Sequence, residues 1–322
     1  MALSNINSDW KNDLYPLIDK SFSYAYENRM NKFMQIMSEE NIKHVDYRMS
    51  GSAGFGELKR YDGVNLTTAN QKRGFVTVIT PQEFQLAADI GMKAAKIDRN
   101  GEINKVGTYL GGSASMSIYM NILRMFGKAF DATQLGGDGK AWAASDHPNA
   151  SKGDAGGLSV VDSDSGTYDN TLALDLSISS ITTAQTRANR FVTPDGLPLM
   201  CDFQDNGILL VSPELEPKAI ELCGKEGKMS PEKLPETAEN GANPVYGLKY
   251  MVVGGGNEGF SAKMWAIADR SLLKETTKVV YITRPGVMNN KLDNALIERF
   301  TAYVDYQVGF GDARSIIFST GK

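Results

Sequence analysis

Leu135-Gly-Gly-Asp-Gly-Lys-Ala-Trp-Ala-Ala-Ser-Asp-His-Pro148 is the stretch on which the reading of this sequence turns. Its glycines and Pro148 mark a loop. Gly136–Lys140 approaches a phosphate-binding loop, but Gln134 stands where Gly-x4-Gly-Lys needs its first glycine. Ala141 follows the lysine where Ser or Thr is required, so that reading is rejected. His147-Pro148 reads as a solvated turn. Just upstream, Ile103, Val106, Leu110, Ala114, Ile118, Ile122, Met125 and Ala129 recur at helical spacing. They predict a helix from Glu102 to Phe130, about 40 Å long at 1.5 Å per residue. Gly111-Gly112 weakens it by about 1 kcal/mol per glycine and points to close packing against another backbone.

Further towards the N-terminus, Gly74–Thr80 is a β run ended by Pro81, and Phe55–Tyr61 suits a strand turned at Asp62-Gly63. Together they predict a long hairpin with few large apolar residues, marginal alone in water. Ahead of it, Leu14, Leu17, Ile18, Phe22, Tyr26, Met30, Phe33, Met34 and Met37 make one apolar helical stripe, with Asp13 as its cap and Pro16 in its first turn. Such a stripe must be covered by its own domain or by a neighbouring molecule.

Downstream of Pro148 the chain is mixed. Thr171–Arg190 and Pro213–Leu222 read as helices, and Gly207–Ser212, Tyr250–Val253 and Lys263–Ala268 as strands. Leu158–Tyr168 and Lys225–Asn243 read as loops. Phe300–Phe310 alternates strictly, and Ser315–Ser319 is expected to pair back on it as a hairpin after Gly311-Asp312.

The 322 residues carry 34 basic and 38 acidic side chains, a net charge of −4, 42% hydrophobic residues and two cysteines. Such a composition excludes a disordered, collagen-like or disulfide-built chain and argues against a phosphate-gripping surface. Cys201 and Cys223 fit no metal or redox spacing and read as buried thiols of a reducing compartment. The N-terminus has no signal-peptide pattern, and no apolar run reaches the ~20 residues of a membrane span. Gly254-Gly-Gly-Asn-Glu-Gly259 matches Gly-x-Gly-x-x-Gly, but a strand, not a helix N-terminus, is expected after it, so it reads as a glycine-rich β turn. Asp162–Gly166 hints at a calcium loop, yet Ala173 stands where the bidentate glutamate belongs. His44 and His147 enter no catalytic motif. The expectation is a protein that is not an enzyme, with no cofactor and no metal.

Four stretches in order resemble one family. Leu135–Pro148 is similar to the "Asp-Gly-Lys-Ala … Ser-x-x-His-Pro" segment that follows the long helix in tailed-phage major capsid (head) proteins, the Mu-like group especially. Asp195-Gly-Leu-Pro198 with Ile208–Glu216 resembles the family's "Leu-Leu-Val-x-Pro-x-Leu-Glu" strand and helix. Asn243-Pro-Val-Tyr246 resembles its "Asn-Pro" segment, and Tyr306–Arg314 its closing "Val-Gly-x-x-Asp-x-Arg" strands.

The resemblance implies an α+β chain with the tailed-phage major capsid fold, shared with encapsulins and the herpesvirus capsid floor. Its parts would be an N-terminal arm (1–44), an extended β-hairpin loop (45–86), a peripheral domain with a spine helix (87–132), an axial domain (133–275) and peripheral C-terminal strands (276–322). It implies self-assembly into hexamers and pentamers of an icosahedral head that encloses double-stranded DNA without sequence-specific binding. The expected location is the virion, with assembly in the host cytoplasm and no membrane partner. A portal and a head maturation protease are implied as partners. Some members carry a long charged scaffolding segment ahead of the arm. This chain begins without one, so a separate scaffold protein is expected, or else a mature form, and Met1 favours the former. Some relatives form Lys–Asn isopeptide bonds; Lys59, Lys72, Asn65 and Asn70 lie in the hairpin, but no cue picks a pair. Arm and hairpin are expected to lie across neighbouring subunits, through Phe22, Tyr26, Phe33, Phe55, Glu57, Lys59, Tyr61 and Phe75. Alternative readings are an encapsulin-like nanocompartment shell, a phage tail tube or sheath protein, and a nucleotide-dependent oxidoreductase resting on Gly254–Gly259.

Overall fold

The computed structural model describes residues 6–27, 32–52, 58, 60–61, 63–64, 73–97, 101–149, 167–193, 198–224, 243–290 and 297–322. In chain order the first elements are α1 (Ile6–Glu27), β1 (Ser38–Asn41), β2 (Tyr47–Ser52), β3 (Arg73–Ile79), β4 (Gln82–Gly91), α2 (Met92–Ile97), α3 (Glu102–Gly127), β5 (His147–Pro148), β6 (Thr167–Tyr168) and β7 (Thr171–Leu172). There follow α4 (Ile178–Ala188), β8 (Gly207–Val211), α5 (Glu216–Cys223), β9 (Lys249–Val252), β10 (Gly254–Gly255), β11 (Glu258–Gly259), β12 (Trp265–Asp269), α6 (Arg270–Thr276), β13 (Thr277–Asn290), β14 (Ile297–Phe310) and β15 (Ile316–Ser319). The chain forms two compact units: Met1–Tyr47 with Ile79–Ile122 and Val279–Val308, and Arg48–Val78 with Leu123–Lys278 and Gly309–Lys322.

The first unit is a four-stranded sheet in the order β1-β13-β14-β4. Strict alternation in β14 buries Phe300, Ala302, Val304 and Tyr306 on one face. Phe300 and Ala302 there join Ile90 and Val287 of the sheet, Ile18 and Phe22 of α1, and Ile103, Leu110 and Ala114 of α3 in one core. The two helices meet through glycine. A Cβ on Gly111 would stand 2.4 Å from the Phe22 carbonyl oxygen, and one on Gly107 would stand 2.5 Å from that of Ile18. The close backbone approach expected at Gly111 is therefore real, and its partner is α1.

The arm departs from expectation in two ways. The described helix begins at Ile6, so Asp13 is not its cap and Pro16 lies inside it. It also ends at Glu27, and Phe33–Gln35 is a short 3-10 turn. The end of the stripe is buried from that turn: Phe33, Ile36 and Met37 are all 1% exposed or less. The strand β4, which no alternation signal announces, pairs antiparallel with β14 over ten residues from Ile297↔Gly91 to Tyr306↔Gln82.

The second unit is built on a mixed five-stranded sheet in the order β7-β15-β12-β8-β9. The expected strands at 207–212, 250–253 and 263–268 are β8, β9 and β12. One face carries Leu209, Val211, Trp265, Ile267 and Ile317 into a core with Ile181, Ala184 and Ala188 of α4 and Ala219 and Cys223 of α5. Ser177 caps α4, its Oγ accepting from the Ser180 amide at 3.1 Å. The hairpin expected between Phe300–Phe310 and Ser315–Ser319 does not form. A 3-10 turn at Ala313–Ser315, capped by Asp312, redirects the chain. β15 then pairs antiparallel with β12 and parallel with β7. Its four residues are buried on both faces, which suits an interior strand and not one arm of a hairpin.

Gly111→Ala tests the helix contact. Alanine should gain about 1 kcal/mol in helix propensity, but a clash with backbone cannot be relieved by a rotamer and costs about 1–3 kcal/mol or more. The expected result is net destabilisation, read as a lower midpoint in denaturant.

Candidate assembly site

Leu135–Pro148 packs as a fixed bracket within the second unit. Leu135 bridges to Ala141. The Gly136 amide donates to the Lys140 carbonyl at 2.7 Å, the Asp138 carboxylate accepts from the Lys140 amide at 3.1 Å, and Gly139 takes φ +77°. Trp142 is 1% exposed, stacked on Phe310 at 4.9 Å and in contact with the rings of Phe126 and Phe318. The base of the hairpin leans on this bracket: the Gly137 amide donates to Thr77 Oγ1 at 3.0 Å, and a Cβ on Gly137 would strike Val76 at 2.6 Å.

His147 corrects the sequence reading, because it is 1% exposed and not a solvated turn. Its Nδ1 lies 2.6 Å from Asp138 Oδ2 and its Nε2 3.3 Å from the Trp142 carbonyl, so each ring nitrogen meets an oxygen. The imidazole stacks on Tyr168 at 4.9 Å. Burial holds the Tyr168 phenol well above its ordinary pKa. The Arg314 guanidinium stands 5.6 Å from the Tyr168 ring, close enough for cation–π attraction. Arg314 donates Nε–H to both Asp312 oxygens at 2.9 and 3.0 Å, and Nη1–H to the Val192 carbonyl at 2.8 Å. Asn170 completes the tie, its amide donating to the carbonyls of Trp142 at 2.8 Å and Ala313 at 3.2 Å while its oxygen accepts from the Ala144 amide at 3.0 Å. Thus the Asp-Gly-Lys-Ala … His-Pro stretch and the closing Asp-Ala-Arg turn form one polar network, buried at His147 and Asn170 and partly exposed at Asp312. Sequence reading found both stretches but not Asn170, which carries no local signal.

This arrangement acts as a clamp between distant segments. Among the described residues no group of three or more His, Cys, Asp and Glu could hold a metal ion. Burial pushes the Cys223 thiol up to about 12, far from reactive thiolate. Gly254–Gly259 is a tight β hairpin with Gly254 paired to Gly259, and Arg124 reaches Glu258 at 2.9 Å. No helix opens there to hold pyrophosphate. Among the described residues no helix is long and apolar enough to cross a membrane.

The residues expected to touch neighbouring subunits divide into three groups. Phe22 and Phe33 are each 1% exposed, and Tyr26 packs on the first unit's core. α3 admits α1 closely enough to take up Phe22 within the chain. Phe55, Glu57 and Lys59 lie outside the described residues. Tyr61 is 62% exposed in the hairpin, beside Leu58 at 96% and Val64 at 81%, while Phe75 of β3 is half-buried.

Asp312 gives a pH test. Burial pushes its carboxyl up, but the charge and hydrogen bonds of Arg314 more than offset this, and the group sits below its ordinary value. Its stabilising contribution is therefore complete above the unfolded pKa of about 4 and fades as pH falls through the folded one. Asp312→Asn should cost about 2–3 kcal/mol at pH 7, with the deficit shrinking below about pH 4 in denaturant titrations.

No family model matches the sequence, and no curated relative matches either. Solved structures do match. The capsid of cyanophage P-SCSP1u aligns with a TM-score of 0.51 at 8% identity, over 90% of this chain and 88% of its own. A structure of Mycobacterium phage Patience aligns at 0.52 with 9% identity, over 98% and 88%. The mature capsid of bacteriophage PhiM1 aligns at 0.50 with 13% identity, over 91% and 87%. At such identities the likeness is one of fold: this chain has the fold of tailed-phage major capsid proteins.

Proposed function

We propose that this chain is a major capsid protein, a structural and non-catalytic subunit that self-assembles into the hexamers and pentamers of an icosahedral phage head enclosing double-stranded DNA. The observation that carries the reading is the hairpin. Its base is clamped by Gly137, yet Leu58, Tyr61 and Val64 are more than half exposed. Apolar side chains held out on a thin excursion are costly in a monomer and are explained by a neighbouring subunit beneath them. The four ordered motifs support the Mu-like group within the fold. The first unit would form the periphery, the sheet of the second unit the axial domain, and residues 45–86 the loop that reaches the neighbour. Tyr61 and Phe75, with Phe55, Glu57 and Lys59, are the contacts proposed for that loop. The net charge of −4 suits a wall that surrounds DNA without gripping it. A scaffold protein, a portal and a maturation protease would be its partners, the virion its destination and the host cytoplasm its place of assembly.

Sedimentation with electron microscopy of the heaviest fraction tests the reading: closed shells or rings of five and six are expected, and DNA inside separates a phage head from a nanocompartment. Replacing residues 53–72 by a short Gly/Ser turn should abolish shells while leaving the thermal melt nearly unchanged. Normal shells from that variant would refute the role given to the hairpin. Deleting residues 1–37 should instead lower the melt itself, since Ile18 and Phe22 fill the first unit's core.

A further inference from the structure

The register of β4 against β14 sets charge opposite charge at one end and like against like at the other. Arg299 faces Asp89 and holds it with two hydrogen bonds of 2.6 and 2.8 Å. Six residues along, Asp305 faces Glu83. By strand alternation both carboxylates stand on the face of the sheet opposite Phe300, Ala302 and Ile90, away from the core that α1 and α3 cover. Tyr303 lies on the same face, and its hydroxyl donates to Glu83. Asp305 is only 8% exposed, and its Oδ1 has no hydrogen-bond partner among the described residues. Burial, and then the Glu83 charge, push its carboxyl above the ordinary value. Like charges directly opposite one another destabilise a sheet, and a buried carboxylate without a partner costs more still. Among the described residues Tyr303 offsets part of this cost through Glu83, and Asp305 Oδ1 is left without a donor.

The donor that fits there is a cation. Two carboxylates and a phenol fall well short of the 6–8 oxygens calcium takes, and no third acidic or imidazole ligand joins them among the described residues. A guanidinium fits better, because its planar fork can donate to two carboxylates at once. The hairpin supplies one. Residues 48–80 hold five basic side chains (Arg48, Lys59, Arg60, Lys72, Arg73) against two acidic ones (Glu57, Asp62). Arg60 is exposed, in line with the exposed Leu58 and Tyr61.

We propose that the Glu83–Asp305 couple is the docking site for Arg60 from the hairpin of a second copy of this chain. The inference rests on the shell reading and names its contact: a charge-assisted fork seated on the face of the neighbour's sheet opposite its α1–α3 core, with the flanking apolar side chains closing over it. Bound there, the guanidinium would satisfy Asp305 Oδ1 and cancel the repulsion between the strands, so the sheet would be more stable in the assembly than in the free subunit.

A charge swap tests it. Arg60→Glu and Glu83→Lys should each raise the protein concentration needed for shell formation about tenfold or more; Arg60→Glu should leave the melt of the free subunit unchanged, and Glu83→Lys should raise it, because the new cation faces Asp305. The double variant should recover most of that loss. Arg60→Glu assembling like the parent, or a double variant no better than the singles, would overturn the pairing. Failure of the parent chain itself to form shells or rings would instead sink the shell reading, and this inference with it. Arg60→Lys, a milder change, gives an independent readout. In particles mixed from isotope-labelled and unlabelled copies, a zero-length amine–carboxyl cross-linker should join residue 60 of one copy to Glu83 or Asp305 of another. Links from residue 60 only to other carboxylates, or none, would overturn the proposal.

Discussion

The first unit depends on one contact between two backbones. Gly107 and Gly111 remove the side chains that would hold α3 away from α1, so the helices touch main chain to main chain at Ile18 and Phe22. A helix built only for propensity would not place glycine there, since each costs about 1 kcal/mol against alanine. That cost is offset by what close approach permits: Phe22 enters a core with Leu110, Ala114 and Phe300, and one face of the sheet is sealed. Without the contact this face of the sheet would lose α1 from its cover.

The second unit is organised differently, around hydrogen-bonded polar groups that are wholly or partly buried. Asp138, His147, Asn170, Asp312 and Arg314 join segments more than 140 residues apart in sequence, as in the hydrogen bond from Asn170 to the Ala313 carbonyl. Apolar packing is tolerant of small shifts, whereas a network of this kind is satisfied in one arrangement only. It therefore fixes where the bracket lies, and through Gly137 and Thr77 it fixes where the hairpin starts. The part these polar residues play is to hold position.

Much of this was legible in the sequence. The period of Ile103–Met125 marked α3, the glycines marked a close approach, and the alternation from Phe300 marked β14. Local pattern could not say what lay opposite. β15 is apolar in its first three residues and could pair with any strand; its neighbours β12 and β7 are distant in sequence. His147 sits in a polar stretch, and only the fold reveals that Asp138, Tyr168 and the Trp142 carbonyl surround it. The arm's stripe demanded a cover, but periodicity does not distinguish a cover from the same chain from one supplied by a neighbour. Likewise Glu83 and Asp305 are unremarkable until register sets them face to face.

β4 is an outermost strand, ten residues long, and its far side has no strand against it among the described residues. A bare edge of that length is a template for endless strand addition, which would draw newly made chains into fibres. Gln82, Glu83 and Gln85 make one end of this edge polar, and the Glu83–Asp305 couple makes that end acidic, whereas Asp89 at the other end is paired with Arg299. Two such acidic ends brought together would repel each other before they could pair. The chain is thereby kept from the open-ended strand polymer that this edge makes available.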